Sequence, residues 1–383
     1  MRNILYVLLL LLFVSSSLMG QMNRCSSDEY RQSLKERGLY KESTMNPVSS
    51  FSNQDNYTIP VVIHVLYNND DQNISNDRIY SQIETLNNDY NALNPDLENV
   101  PSEFINVVGN VGLTFCLVQS DLNGNPFSGI NRVFTNVNSF QGFSDDMKDS
   151  DQGGVDAWDT NNYLNIWVCN LSGNTLGFAT MPGSVDQVLD GVVIDYEYFG
   201  VDLNSNSPYN LGRTATHEVG HYLNLEHTFY GSCNDLDGCD DTPDISSPTY
   251  GCPEIPQESC QSINMTMNYM DYANDACMYM FTNCQAEKMI DALLTLRPNL
   301  ATSSDCDVSL FDLTKSNVEV YPNPVSDLLF INTQNKMVLF FDIYGRSVLS
   351  EYIQNNSSID VSSLHAGTYI VSINNQLHQV VKY

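Results

Sequence analysis

The stretch HEVGHYLNLEH, residues 217–227, sets three imidazoles and a carboxylate at the spacing that one metal ion demands. On an α-helix the side chains of His217 and His221 lie one turn apart on the same face, so both reach a common point. Glu218 stands beside that pair, an offset suited to polarising a water molecule and not to binding the metal. His227 is placed to ligate only if the chain stops being helical and doubles back. Asn224 is the candidate for that turn, because asparagine is the usual substitute for glycine where a helix ends at positive φ. Three neutral imidazoles that leave a fourth position open are the donor set of a catalytic zinc centre. Glu226 as the third ligand is the competing arrangement, but it follows too closely on the helix.

Outward from this motif the chain reads as alternating strands and helices. YTIPVVIHVLY, residues 57–67, is an apolar, β-branched run suited to a central strand. Ile79, Ile83, Leu86 and Tyr90 recur at three- and four-residue steps and give a helix one apolar face, with Asn76 and Asp77 near its start. Further strands are expected at residues 111–119, 163–171 and 191–199, and the metal helix from about Asn210. His64 lies inside the first strand and is expected to be a core histidine, not a ligand.

The motif, read as HExxHxxGxxH with Asn224 in the glycine position, is followed by DDTP at residues 240–243, by MNYMDY around Met270 and by CMYMFT. Together these resemble the pappalysin (ulilysin-like) metzincin zinc metalloproteases over about residues 57–298. The resemblance implies an α/β zincin catalytic domain with a mixed twisted sheet, and a secreted endopeptidase acting on protein or peptide substrates. It implies zinc on His217, His221 and His227, with Glu218 as general base and Tyr272 as stabiliser of the oxyanion. Met270 is implied as a structural residue packed under the ligands. LGFATMPG, residues 176–183, resembles the edge strand, so Gly177, Phe178 and Ala179 are implied to pair with an extended substrate. Asp275 is implied at the base of a pocket that selects Arg or Lys after the scissile bond. The family pattern pairs Cys233 with Cys260 and Cys252 with Cys277, which leaves Cys239 and Cys284 as an extra candidate pair. A zinc-binding adhesin or catalytically inactive homologue is the alternative reading, against which Glu218 argues, since a structural site needs no base.

Composition agrees with export. The chain has 383 residues, ten cysteines and a formal net charge of −30 from 46 acidic and 16 basic residues. That charge argues against nucleic acid or an anionic membrane as partner. The run CNDLDGCDDTPD, residues 233–244, concentrates hard oxygen donors, and by family resemblance Asp237 and Thr242 help hold a structural calcium ion. Residues 1–20 form a signal peptide, with Arg2 ahead of an apolar run too short to span a bilayer, so no integral membrane segment is expected after cleavage. Residues 21–55 form an inhibitory prosegment with basic residues at Arg31, Lys35, Arg37 and Lys41. Its NRCSSDEY resembles the prosegment motif in which a cysteine occupies zinc's open position. Cys25 is then either that switch or a partner for Cys306, and Cys116 and Cys169 are either free thiols or bridged.

Residues 56–298 are read as the catalytic domain, 299–317 as a linker and 318–383 as a small β-sandwich. YPNP at residues 321–324, DIYGR at 342–346, GTY at 367–369 and Lys382 resemble the C-terminal sorting domain of the type IX secretion system. That implies secretion machinery as a partner and an extracellular or cell-surface destination through the periplasm of a Gram-negative bacterium. A carbohydrate-binding or adhesive β-module is the rival reading of this segment.

Overall fold

The apolar run at residues 57–67 is the central strand, β1 (Tyr57–Tyr67), of a six-stranded sheet. This computed structural model describes residues 23–42, 57–234, 236–302, 320–332, 336–341, 347–353, 357–373 and 376–383. The expected signal peptide, Cys306 and the DIYGR turn lie outside them. The chain divides into two compact units, Met1–Cys306 and Asp307–Tyr383.

In the first unit, helix α1 (Ser27–Glu36) precedes β1, and helix α2 (Asn76–Asp89) follows it. Ser75 caps α2 by accepting from the Arg78 N–H at 3.2 Å. One edge of β1 pairs with both β2 (Leu113–Leu117) and β3 (Ile130–Phe134), along successive halves of its length. Its other edge pairs with β4 (Leu164–Cys169), which pairs with β6 (Val192–Asp195). All these pairings are parallel. The outermost strand, β5 (Gly177–Ala179), runs antiparallel to β6 and makes the sheet mixed.

The two-residue period of the strands sorts side chains onto two faces. Ile59, Val61, Ile63 and Val65 of β1, Ile166 and Val168 of β4, and Val192 and Ile194 of β6 enter the core that also holds α2, the metal helix and helix α4 (Asn283–Leu296). Leu66, Trp167, Phe178 and Val193 enter a second core on the opposite face, with Tyr30 and Leu34 of α1. Burial on both faces explains why β1 and β4 read as continuous apolar runs. His64 is fully buried in this sheet, 2.9 Å from Asn165 Oδ1 and stacked on Trp167, and burial lowers its pKa to about 4.

The second unit is built from antiparallel strands in two sheets. One has the order Val320–Tyr321, Leu328–Ile331, Ser357–Asp360, and the other Ser347–Ile353, Lys336–Phe341, Gly367–Ile373, Gln376–Lys382. Leu329, Ile331, Ile359, Val338, Phe340, Val371 and Val380 from both sheets share one core. Within YPNP, the Asn323 amide donates to the Gln379 carbonyl at 2.7 Å and accepts from the Val381 N–H at 2.9 Å. Among the described residues no helix is long and apolar enough to cross a membrane.

Candidate active site

Helix α3 (Arg213–Tyr222) carries the motif and is buried along its whole length. Two carboxylates fix it. Asp89 at the end of α2 pairs with Arg213 at 3.0 Å and accepts from the Thr216 hydroxyl at 2.7 Å. Asp275 Oδ2 accepts from the N–H groups of Leu211 and Arg213 at 2.9 and 3.2 Å, where a helix N-terminus leaves donors unused. The helix stops at Leu223. Asn224 takes φ 76°, Leu225 donates back to the Gly220 carbonyl at 2.9 Å, and the reversal returns His227 toward the helix.

The three imidazoles converge. His217 Nε2 lies 3.2 Å from the Nε2 atoms of both His221 and His227, and those two are 3.0 Å apart. Two far ring nitrogens are held by carbonyls, His217 Nδ1 by that of Tyr269 and His221 Nδ1 by that of Leu225, both at 2.7 Å, whereas His227 Nδ1 lies 3.2 Å from Asp28 Oδ2 without a well-aligned hydrogen bond. A carbonyl accepts only, so the proton of His217 and of His221 sits on Nδ1 and the Nε2 lone pairs face one another. Burial, then the neighbouring rings, keeps both well below the usual imidazole pKa, hence neutral. Lone pairs crowded at about 3 Å repel unless a cation shares them, and a nitrogen set of this kind fits zinc.

Met270 is fully buried against α3. A Cβ on Gly220 would stand 2.6 Å from the Met270 sulfur, so glycine in the middle of α3 makes room for that packing. The Met270 N–H donates to Asn268 Oδ1 at 2.9 Å, and Asn268 exchanges amide hydrogen bonds with Gln285 of α4.

Glu218 is fully buried next to the histidines, and burial raises its pKa to about 8 against the opposing hydrogen bonds of Cys25 and Ser27. Its Oε2 accepts from the Ser27 hydroxyl at 2.9 Å. Cys25 is buried and unbridged, and its sulfur and one nitrogen of each histidine all lie within 4.8 Å of one another. Burial, then the Glu218 charge, pushes its thiol pKa well up. The Tyr272 hydroxyl stands 3.2 Å from His227 Nε2 and donates to the Cys25 carbonyl at 3.3 Å.

Residues 23–27 run along the edge strand. Asn23 bridges Thr175 in parallel, donating to the Asn174 carbonyl and accepting from Leu176. The Ser26 N–H donates to the Gly177 carbonyl at 2.9 Å, and the Ala179 N–H donates to Ser27 Oγ at 2.9 Å. Gly177 backs onto Glu218, where a Cβ would meet the Glu218 Cγ at 3.1 Å, whereas Phe178 points into the opposite core.

Arg24 is fully buried. Its guanidinium donates to Asp275 Oδ1 at 2.9 Å and to the Ala273 carbonyl at 2.8 Å, and it lies over the Tyr209 ring. Sequence reasoning passed over Arg24, Ser27 and Tyr209. Arg24 had one readable signal, its place directly before Cys25.

The loop between His227 and Met270 is closed on itself by Cys233–Cys260, tied to the segment after Met270 by Cys252–Cys277 and tied to α4 by Cys239–Cys284. Cys116 is disulfide-bonded, whereas Cys169 is free and buried. Asp237 accepts from the Cys239 N–H at 3.0 Å and the Thr242 hydroxyl at 2.6 Å, and Lys288 donates to its carbonyl. Nearby, Asp241 Oδ1 is buried with no hydrogen-bond partner among the described residues. A hard oxygen left in that state fits a bound cation better than an isolated carboxylate.

Residues 146–294 match the peptidase family described as pregnancy-associated plasma protein-A, and residues 319–383 match the secretion system C-terminal sorting domain. An extracellular metalloprotease of Arthroderma benhamiae is 34% identical over 254 residues, which cover 63% of this chain and 74% of that protein. Among solved structures, mature mirolysin of Tannerella forsythia in complex with a cleaved peptide is similar at 45% identity and a TM-score of 0.62, covering 65% of this chain and 96% of that one. A mutant of Tannerella forsythia promirolysin is similar at 43% identity and the same TM-score, covering 85% of its chain.

Proposed function

Since the chain belongs to the pregnancy-associated plasma protein-A family of metalloproteases and carries a secretion-system sorting domain, it is a secreted metalloendopeptidase, and we propose that it is made as a cysteine-switch zymogen that prefers a basic residue after the scissile bond. The observation that carries this reading is the convergence of three imidazole nitrogens beside a buried carboxylate, with Arg24 and Cys25 lying across them. His217, His221 and His227 would hold zinc, which when bound supplies a Lewis acid that acidifies water and polarises a carbonyl.

The remaining work belongs to side chains. Glu218 takes the proton of the attacking water and returns it to the leaving amine. Tyr272 donates its hydroxyl to the developing oxyanion. Strand β5 aligns an extended peptide through its backbone, the edge now paired with residues 23–27. Asp275 receives a substrate guanidinium or ammonium in place of Arg24. Removal of the prosegment takes Arg24 from that carboxylate, which keeps the Leu211 and Arg213 N–H groups on Oδ2 and presents Oδ1 to an incoming cation.

Latency follows from the same contacts. The Cys25 sulfur stands where water would enter, and Ser27 occupies Glu218. In this reading residues 1–20 direct export, 21–55 inhibit, 56–298 catalyse, 299–317 link and 318–383 sort. A calcium ion at the acidic loop, through Asp237, Asp241 and the Thr242 region, completes the proposed cofactor set.

The test is casein digestion by the purified, activated chain and by Glu218→Ala. We expect the variant to lose activity by about 10³-fold, and a zinc chelator to abolish wild-type activity until zinc is restored. Undiminished digestion by Glu218→Ala would falsify the assignment of the base.

A further inference from the structure

The prosegment fills a second pocket, on the sheet face away from the histidines. From Ser27 onward α1 passes over the edge strand and lowers Tyr30 into the core formed by Trp167, Phe178 and Val193, where it is fully buried. The Tyr30 ring lies 4.7 Å from that of Phe178. Its hydroxyl donates to Asp145 Oδ1 at 2.5 Å and accepts from the Lys148 ammonium at 3.4 Å. Lys148 is itself 3% exposed, lies over the Tyr30, Trp167 and Phe178 rings, and donates to the Leu189 carbonyl at 2.6 Å.

Such a pocket is specific for a phenol. A ring alone would satisfy Phe178, but only a ring with a hydroxyl serves both the carboxylate and the ammonium. Asp145 is held by two prosegment groups, Tyr30 and Arg37. Once the prosegment leaves, Asp145 loses both and Lys148 retains the Leu189 carbonyl, beside newly bared aromatic surface. Water would reach Asp145 on that departure, but an incoming phenol would restore both its hydrogen bond and the contact with the bared rings.

We infer that Asp145, Lys148, Trp167 and Phe178 form a recognition site for a tyrosine side chain of a polypeptide substrate, remote from the scissile bond and blocked by Tyr30 until activation. This inference rests on the proposed removal of the prosegment. Its occupant differs in chemistry from that of the Asp275 pocket, so a substrate would be read at two points, one basic and one phenolic. The second contact adds affinity only for chains long enough to reach it.

The test uses the full chain after activation. A short peptide around a single arginine is compared with longer peptides in which a tyrosine, or a phenylalanine in its place, is stepped outward from that arginine on either side. At one register we expect tyrosine to lower KM about tenfold relative to phenylalanine, with kcat unchanged. Asp145→Asn and Lys148→Met should each bring the tyrosine-to-phenylalanine ratio close to one. Two variants are used so that misfolding of Lys148→Met leaves the question answerable. Equal KM for tyrosine and phenylalanine at every register, or a tyrosine preference that survives in Asp145→Asn, overturns the proposal. A direct binding arm measures a labelled peptide of residues 29–41 and its Tyr30→Phe form on the activated protein. Tighter binding of the tyrosine form by about tenfold supports the site, and equal affinity overturns it. Failure to cleave the short arginine peptide counts against the protease mechanism alone, since the binding arm still decides the pocket.

Discussion

The histidine cluster and the rim that faces it are assembled in opposite ways. All three histidines come from eleven consecutive residues, 217–227, so one helix turn and one reversal suffice to bring them together. The rim joins Arg24 to Asp275 across 251 residues, Ser27 to Glu218 across 191 and Tyr30 to Asp145 across 115. The metal-binding donors are thus local in the chain, whereas the latency and selectivity proposed above would be made by distant partners. A change in the cluster should remove catalysis for every substrate, whereas a change in the rim should alter which substrate is taken or when the enzyme wakes.

The sharpest contrast comes from Tyr272, which touches both regions. Tyr272→Phe keeps the ring and deletes the hydroxyl, so kcat should fall about 100-fold with KM little changed. A loss confined to KM would move Tyr272 from the cluster to the rim. Next in size is Asp275→Asn, which keeps one oxygen for the N–H groups of Leu211 and Arg213, both now on Oδ2, but removes the charge. We expect kcat/KM for arginine-containing peptides to drop about tenfold or more while leucine counterparts hold steady, measured on paired peptide libraries. Equal treatment of the two libraries by the wild-type enzyme would refute the basic pocket.

Smaller still is the effect of Cys25→Ala on the purified zymogen. Because Arg24, Ser27 and Tyr30 continue to hold the prosegment, autoactivation should quicken several-fold without becoming immediate. Unchanged kinetics by gel densitometry would show that the thiol plays no part in latency. The mildest change is expected on calcium chelation. With the three disulfides intact, EGTA should lower the melting midpoint by about 5 °C, and an unshifted midpoint would remove calcium from the loop.

Much of this architecture was legible in the residues. A β-branched apolar run marked β1, and the three- and four-residue recurrence of Ile79, Ile83, Leu86 and Tyr90 marked α2, because burial on one or both faces imposes such patterns on any chain. Asn224 was readable as a reversal because few side chains tolerate positive φ. Other features carried no such mark. Gly220 looks like a weak point in a helix until Met270 is found against it. Arg24 looks like one more cation of the N-terminal segment, and Lys148 like an ordinary surface lysine, although each is buried against partners that no spacing rule connects.

The residue order by itself determined the helix, its reversal, the donor atoms and the two-faced strands, since each depends on neighbours within a few positions. Only the tertiary structure decided what stands opposite them: Arg24 on Asp275, Ser27 on Glu218 and Tyr30 between Asp145 and Lys148. The reason is physical. Backbone geometry relates residues a turn or two apart, but contacts across a hundred residues or more exist only after the whole sheet has closed and buried both of its faces.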